Sequence, residues 1–193
     1  MKIVIVKYNA GNIHSVRLAL NRLGLEPVVS DDPELINRAD KVIFPGVGEA
    51  SSAMKYLHAH GIDRVLMQLR QPVLGICLGL QLMCSFSEEN NTTCLNIFKQ
   101  QVKKFPPKNK VPHMGWNLLE DYSGPLFRNM PASPYVYFVH SFFAELGRET
   151  CAQSVYIVPF SAAIMRDNFM AVQFHPEKSG LVGERILKNF IDL

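Results

Sequence analysis

The stretch Gly75-Ile76-Cys77-Leu78-Gly79 carries the most information about this chain. It follows an apolar, strand-like run at residues 72–76 and opens an apolar, helix-like run at residues 78–86. Gly-x-Cys-x-Gly at a strand-to-helix turn is the nucleophile-elbow pattern with cysteine in place of serine. The glycines permit a tight turn, and the amino end of the following helix favours a thiolate. We therefore predict that Cys77 is a nucleophile; the alternative is a buried core cysteine.

Strand and helix signals alternate through the first half of the chain. Strands are predicted at residues 2–6, 27–29, 41–44 and 72–76, the third stopped by Pro45-Gly46. Helices are predicted from an Asn12 cap to Gly24, from Asp31-Asp32-Pro33, at residues 49–58 and at residues 78–86. This alternation indicates a parallel sheet with helices on both faces.

The second half has a different sequence pattern, which predicts short strands and turns from about Thr93. Asp167-Asn168 joins strand-like runs at residues 161–166 and 169–174 as a hairpin, and a last helix is predicted at residues 181–191. We expect one domain over residues 1–193, an α/β three-layer sandwich with a central, mostly parallel sheet. Ligands bind beyond the carboxyl ends of such strands, here residues 8–12, 45–48 and 75–79.

Composition excludes several functional classes. The chain has 193 residues, 48% of them hydrophobic, and a formal net charge of +3, which is too small to argue for nucleic acid. No apolar run reaches the roughly 18–20 residues that span a membrane, and no signal peptide is recognisable. The cysteines show no CxxC and no ligand spacing with histidine, so we expect no metal, no cofactor, free thiols and a cytoplasmic location.

Phe174-His175-Pro176-Glu177 follows another apolar, strand-like run. Residues i and i+2 of extended chain face the same side, and Pro176 biases His175 toward extended geometry. Glu177 can then orient the imidazole of His175 while its other nitrogen reaches a thiol. The alternative is a surface His-Glu pair. Together with the elbow, this pattern predicts a Cys77–His175–Glu177 triad.

Three further segments are candidates for binding substrate. Pro45-Gly46-Val47-Gly48 can turn backbone N–H groups toward an oxyanion, although many α/β proteins have such a turn. Gln81 lies one helical turn after Cys77, where its amide can pair with a substrate or simply face solvent. His140-Ser141-Phe142 ends an aromatic strand at residues 135–139 and offers backbone groups to a pocket.

With these residues in place, the chain resembles the class I (triad) glutamine amidotransferases, and among them the glutaminase subunits of imidazole glycerol phosphate synthase. The resemblance spans nearly the whole chain. Its motifs are Tyr8-Asn9-Ala10-Gly11-Asn12, Pro45-Gly46-Val47-Gly48, Gly75-Ile76-Cys77-Leu78-Gly79-Leu80-Gln81, Pro112-His113-Met114-Gly115-Trp116-Asn117, Tyr137-Phe138-Val139-His140-Ser141 and Gln173-Phe174-His175-Pro176-Glu177-Lys178-Ser179.

The resemblance implies a flavodoxin-like fold and a triad in which Cys77 attacks glutamine and His175 transfers a proton to the departing ammonia. Its implied glutamine-binding residues are Gly46, Val47, Gly48, Leu78, Gln81, Ser141 and Phe142. Its implied partner-facing residues are Asn12, Trp116, Tyr137 and Lys178. The partner is a (β/α)8-barrel synthase, which uses ammonia to form imidazole glycerol phosphate and aminoimidazole carboxamide ribotide.

The sequence also departs from the family pattern in two places, and several rival functions stay open. Phe142 stands where the family often has tyrosine, and Cys94-Leu95-Asn96-Ile97 stands where Gly-Leu-Gly-Ile is common. The nearest rival is the glutaminase of anthranilate synthesis, which usually has Pro-Gly-Pro-Gly, or that of pyridoxal phosphate synthesis, which lacks a match to residues 113–117. More distant rivals are a cysteine peptidase or esterase with the same elbow, and an inactive subunit that serves only in protein interaction.

Overall fold

The computed structural model describes residues 1–8 and 12–193; residues 9–11 of the first family motif lie outside this part of the chain. The helices are α1 (Ile13–Arg22), α2 (Pro33–Asn37), α3 (Ala50–Ala59), α4 (Ile62–Gln68), α5 (Leu78–Met83) and α6 (Gly180–Ile191). The strands are β1 (Ile3–Val6), β2 (Val28–Ser30), β3 (Lys41–Gly46), β4 (Val73–Cys77), β5 (Phe86–Ser87), β6 (Thr92–Thr93), β7 (Gln101–Lys104), β8 (His113–Leu118), β9 (Tyr135–His140), β10 (Phe142–Ala144), β11 (Thr150–Tyr156), β12 (Val158–Arg166) and β13 (Phe169–Val172).

A seven-stranded sheet in the order β11-β12-β13-β4-β3-β1-β2 forms the centre. The strands from β13 to β2 are parallel, and β11 and β12 extend the sheet by antiparallel pairing. Alternate residues of β1 enter opposite core clusters: Val4 packs with the side that carries α2 to α5, and Ile5 packs with the side that carries α1 and α6. The predicted three-layer α/β class is confirmed.

The parallel pairing of β13 with β4 positions the site. Ala171 lies opposite Gly75 and Val172 opposite Ile76, so both strands end at one edge of the sheet. The chain beyond β13 leads to His175, and the end of β4 carries Cys77. Two motifs far apart in sequence are thereby brought together.

Several predicted boundaries were wrong. Strand β3 continues through Pro45 to Gly46, because β1 pairs with it only as far as Ile43 and the missing N–H of Pro45 removes no bond to β1. Helix α4 was missed, although Ile62 and Leu66 are buried one turn apart. Helix α5 ends at Met83, since Phe86 pairs with β6 and β7 instead of extending the helix.

Strands β8 and β9 form a separate antiparallel ribbon, in which His113 lies opposite His140 and Trp116 opposite Tyr137. Residues of β9 such as Phe138 are fully buried against the sheet, whereas Trp116 and Met114 of β8 are more than half exposed. The ribbon thus has one face toward the core and one face toward solvent, beside the edge that carries Cys77.

Candidate active site

The turn after β4 has the geometry of a nucleophile elbow. Cys77 has φ 54° and ψ −106°, a conformation that is strained for a residue with a side chain and costs on the order of 1–3 kcal/mol. A Cβ on Gly79 would lie 1.9 Å from the carbonyl oxygen of Phe44, and one on Gly75 would lie 2.6 Å from the sulfur of Met83. Only glycine fits at these two positions, because the turn packs directly on β3 and α5.

His175 and Glu177 form a buried pair beside this turn. The Nδ1 atom of His175 lies 2.8 Å from Oε1 of Glu177, and the side chain of Glu177 is fully buried. Burial by itself lowers the pKa of His175, but the nearby Cys77 and the hydrogen-bonded carboxylate of Glu177 raise it overall to about 10. The ring is therefore an imidazolium at neutral pH, held between a carboxylate and the sulfur. This is the arrangement that a cysteine nucleophile requires.

Asn12 is the N-cap residue of α1, as predicted, but its side chain contacts this pair. Its φ of 73° is left-handed, its carbonyl accepts from the N–H of Val16, and its side chain makes no cap hydrogen bond. The Nδ2 group donates to Oε1 of Glu177 and lies 3.4 Å from Nδ1 of His175. Asn12 is half-buried, so the residue with a predicted partner-facing role also helps to fix the carboxylate.

A cavity of about 310 Å³ opens above the elbow. It is lined by Val47, Gly48, Cys77, Leu78, Gln81, Glu89, Pro112, Val139, His140, Ser141, Phe142, His175 and Lys178. Most of the predicted substrate-binding residues therefore meet in one place; Gly46 lies beneath them and is buried. Lys178, predicted to face a partner, lies at this cavity as well.

Gln81 is buried and does not face solvent. Its Nε2 donates to the carbonyl of Phe142 at 3.0 Å and to Oε1 of Gln173 at 3.1 Å. Gln173 in turn donates to the sulfur of Cys77 at 3.6 Å. The role of Gln173 was missed, although its place two residues before His175 puts both side chains on one side of extended chain.

Two backbone segments next to Cys77 are the candidate oxyanion site. The N–H of Leu78 lies at the start of α5, and Gly46 is paired with Cys77 across β3 and β4. Val47 follows at the cavity, and Gly48 has φ 116°, which favours glycine. These segments can present two N–H groups to a tetrahedral oxygen next to the sulfur.

A contact between two buried histidines at the wall of the cavity was not predicted. Nδ1 of His113 lies 3.0 Å from Nε2 of His140, whose Nδ1 lies 2.7 Å from the carbonyl of Phe142. Burial lowers the pKa of His113 to about 4 and that of His140 to about 3, so both rings are neutral. A neutral His140 must donate from Nδ1 to Phe142, which fixes the wall that carries Ser141.

The predicted partner-facing aromatic residues lie on the ribbon. Trp116 is 56% exposed, so this single tryptophan of the chain is a surface residue and not a core anchor. Its ring meets Tyr137 edge-on at 6.0 Å, and the carbonyl of Tyr137 accepts a hydrogen bond from the backbone N–H of His175. Trp116 is thus connected to His175 of the triad through one intermediate residue, Tyr137.

Within residues 1–8 and 12–193, no group of three potential ligands is placed to hold a metal ion, and no helix is long and apolar enough to cross a membrane. Asn96 has φ 55°, a conformation that asparagine tolerates, so the departure from Gly at this position leaves the turn intact.

A cysteine, a histidine and a glutamate at the carboxyl edge of a mostly parallel sheet define a class of hydrolytic enzymes, and comparison with known proteins identifies the family. The family model for "Glutamine amidotransferase class-I" matches residues 4–193. This chain therefore belongs to the class I glutamine amidotransferases.

Curated relatives are more specific in their names. "Imidazole glycerol phosphate synthase subunit HisH" of Bacteroides fragilis (strain YCH46) is 56% identical, with 100% of both chains covered. The protein of the same name from Blochmanniella floridana is 44% identical, also over 100% of both chains. A crystal structure described as glutamine amidotransferase is 19% identical, has a TM-score of 0.78 and covers 100% of this chain and 98% of its own, which supports the fold. The resemblance inferred from the motifs is confirmed.

Glu177→Gln should slow glutamine turnover by about 10- to 100-fold, within the usual range of acid–base contributions. The amide keeps a hydrogen bond to His175 but loses the charge that helps to raise the pKa of His175. The loss should therefore grow as the pH rises, because the imidazolium deprotonates earlier in the variant. Rates measured against pH with the partner present would check this.

Glu184→Gln is a matched control, since Glu184 is exposed on α6. It should leave turnover unchanged, and so should a chelator, because Glu177 is proposed to orient the ring. A loss of activity on chelation would contradict that role.

Proposed function

We propose that this chain is the glutaminase subunit of an imidazole glycerol phosphate synthase and supplies ammonia for histidine biosynthesis. The observation that carries the proposal is that Cys77 and His175 line one cavity while Glu177 pairs with His175, in a chain 56% identical to a HisH subunit over its full length. The cavity residues provide the nucleophile and the polar groups that binding and cleavage of a small carboxamide require.

The reaction follows from the positions of these groups. His175 holds the proton of the Cys77 thiol, and the sulfur attacks the carboxamide carbon of glutamine. The N–H groups of Leu78 and Val47 stabilise the oxyanion. As the C–N bond breaks, His175 gives its proton to the nitrogen, so ammonia leaves and a glutamyl thioester remains.

Water completes the cycle. The now neutral His175 removes a proton from a water molecule, which attacks the thioester carbon and releases glutamate with the sulfur restored. Glu177 accepts a hydrogen bond from Nδ1 of His175 and keeps the ring in position throughout, and Asn12 donates to the same carboxylate. Gln81 and Gln173 hold the wall of the pocket and the resting sulfur.

The partner in this proposal is a (β/α)8-barrel synthase, which would dock over Asn12, Trp116, Tyr137 and Lys178 in the cytoplasm. The exposed face of Trp116 supports an interface here, because tryptophan is enriched among residues that anchor protein contacts. Such docking would cover the mouth of the cavity, where Lys178 lies, and ammonia would pass to the synthase without meeting water.

Co-purification followed by a coupled assay tests the proposal. The chain should bind the synthase subunit of its own organism, and the pair should form imidazole glycerol phosphate and aminoimidazole carboxamide ribotide from glutamine. Ammonium salts should replace glutamine in the synthase alone, which separates the two half-reactions. Binding instead to an anthranilate or pyridoxal phosphate synthase would favour the sister families.

A further inference from the structure

The hydroxyl of Tyr8 is an anomaly in the core. Tyr8 follows β1, is 5% exposed and packs at a tilt on Phe44, with ring centroids 5.1 Å apart. Its Oη has no hydrogen-bond partner in the part of the chain that the structure describes. Burying an unpaired hydroxyl is costly, and phenylalanine would fill the same space without that cost. The hydroxyl therefore needs an explanation that packing does not provide.

The position of Oη provides an explanation for the buried hydroxyl. A Cβ built on Gly46 would lie 1.9 Å from Oη of Tyr8 and 3.1 Å from Cβ of Leu78. The hydroxyl thus lies directly against Gly46 and near Leu78, and Tyr8 does not line the cavity. Gly46 and Leu78 belong to the two peptide units whose N–H groups face the oxyanion in the proposed reaction.

We propose that Tyr8 is a positioning residue for the oxyanion hole, donating its hydroxyl proton to the carbonyl of Gly46 in the working state. The two polar groups of a trans peptide point in opposite directions. When the Gly46–Val47 peptide turns its N–H toward the substrate, its carbonyl turns away from the cavity, where Oη lies without a partner among the described residues. This inference rests on the proposed glutaminase function.

The chemistry of the hydroxyl fits a donor. Burial, and to a lesser extent the charge of Cys77, raise the pKa of Tyr8 well above its usual value, so the proton stays on the oxygen at all working pH values. Only glycine fits at position 46, since any side chain there would displace Oη of Tyr8. The lack of a side chain at Gly46 therefore allows the close approach that the proposed hydrogen bond requires.

Tyr8→Phe, measured in the full chain with and without the synthase subunit, tests the proposal. Losing one neutral hydrogen bond from the working state should lower the glutamine turnover of the chain alone by about tenfold. KM for glutamine should change little, because Tyr8 does not line the cavity. With the partner present the loss should be equal or smaller. The melting temperature should stay the same or rise, since the resting state loses only an unpaired hydroxyl.

Tyr56→Phe is the matched control. The hydroxyl of Tyr56 on α3 donates to Asp31 at 3.0 Å, so its removal should lower the melting temperature slightly and leave turnover unchanged. An unchanged turnover in Tyr8→Phe, or a loss accompanied by a matching fall in melting temperature, would overturn the role of Tyr8. Absence of glutaminase activity in the unmodified complex would instead refute the proposed function.

Discussion

Replacing Cys77 with alanine or serine should abolish glutamine hydrolysis even with the partner present, a loss on the order of 10⁶-fold. The reason is that the thioester cannot form without the sulfur, and a serine hydroxyl is far less acidic than a thiol, so it does not transfer its proton to His175 in the resting site. Binding of glutamine should persist, because Gln81 and the Ser141 segment remain in place. Turnover and equilibrium binding of glutamine, measured on the same preparations, would check the loss of hydrolysis and the retained binding.

Covalent labelling tests which of the four cysteines is the nucleophile. A glutamine analogue with an electrophile should modify Cys77 and spare Cys84, Cys94 and Cys151. These three thiols are buried, and burial raises the pKa of Cys94 and of Cys151 to about 12 and that of Cys84 well above its usual range. Cys151→Ala is the control and should label normally. A label found on any cysteine other than Cys77 would refute the assignment.

Glutaminase activity of the isolated chain should be slow, and the partner with its nucleotide ligand should raise it by about 10²- to 10³-fold, the effect of one correctly placed oxyanion donor. Gly46 and Gly48 flank Val47, so the Gly46–Val47 peptide can rotate between two states. Docking shifts the population only if the partner contacts the two states differently. Steady-state rates of the chain alone, with partner, and with partner plus nucleotide would separate these steps.

Trp116→Ala should weaken this stimulation and leave the basal rate unchanged, because Trp116 is exposed and is connected to the triad through Tyr137. Met67→Ala is a matched control. Met67 is 46% exposed on α4, a helix that leads to the start of β4 and hence to the opposite edge of the sheet. Full activity of the isolated chain would contradict the gating mechanism and leave the triad untouched.

Local sequence patterns account for much of the fold and for the centre of the site. The elbow glycines, the His-x-Glu spacing and the alternation of strands and helices are each set by a few adjacent residues, which is why they could be recognised. The fold class and the family are confirmed, whereas the roles of individual residues stay predictions. The site residues that were predicted do meet at one cavity, apart from buried Gly46, Glu177, Asn12 and the two aromatic residues of the ribbon.

What the sequence did not show depends on contacts between distant segments. Gln173 looks like any strand glutamine until β13 is placed beside β4. The link from His113 to His140 exists only because β8 pairs with β9 in one register. Asn12 has the residue type of a helix cap, but its side chain turns to Glu177, to whose carboxylate its amide group donates. Tertiary pairing, which no local pattern encodes, decided each of these cases.

Strand β13 has a consequence for how the chain is made. It lies in the middle of the sheet although it is synthesised late, and 96 residues separate Cys77 from Gln173. At about 5–20 residues per second, a ribosome needs roughly 5–20 s to cover that distance. During this interval β4 presents an unpaired edge and the thiol has no base. During this time a nascent chain cannot hydrolyse glutamine, and its exposed strand edge can associate with other chains. The pairing of β13 with β4 ends both conditions.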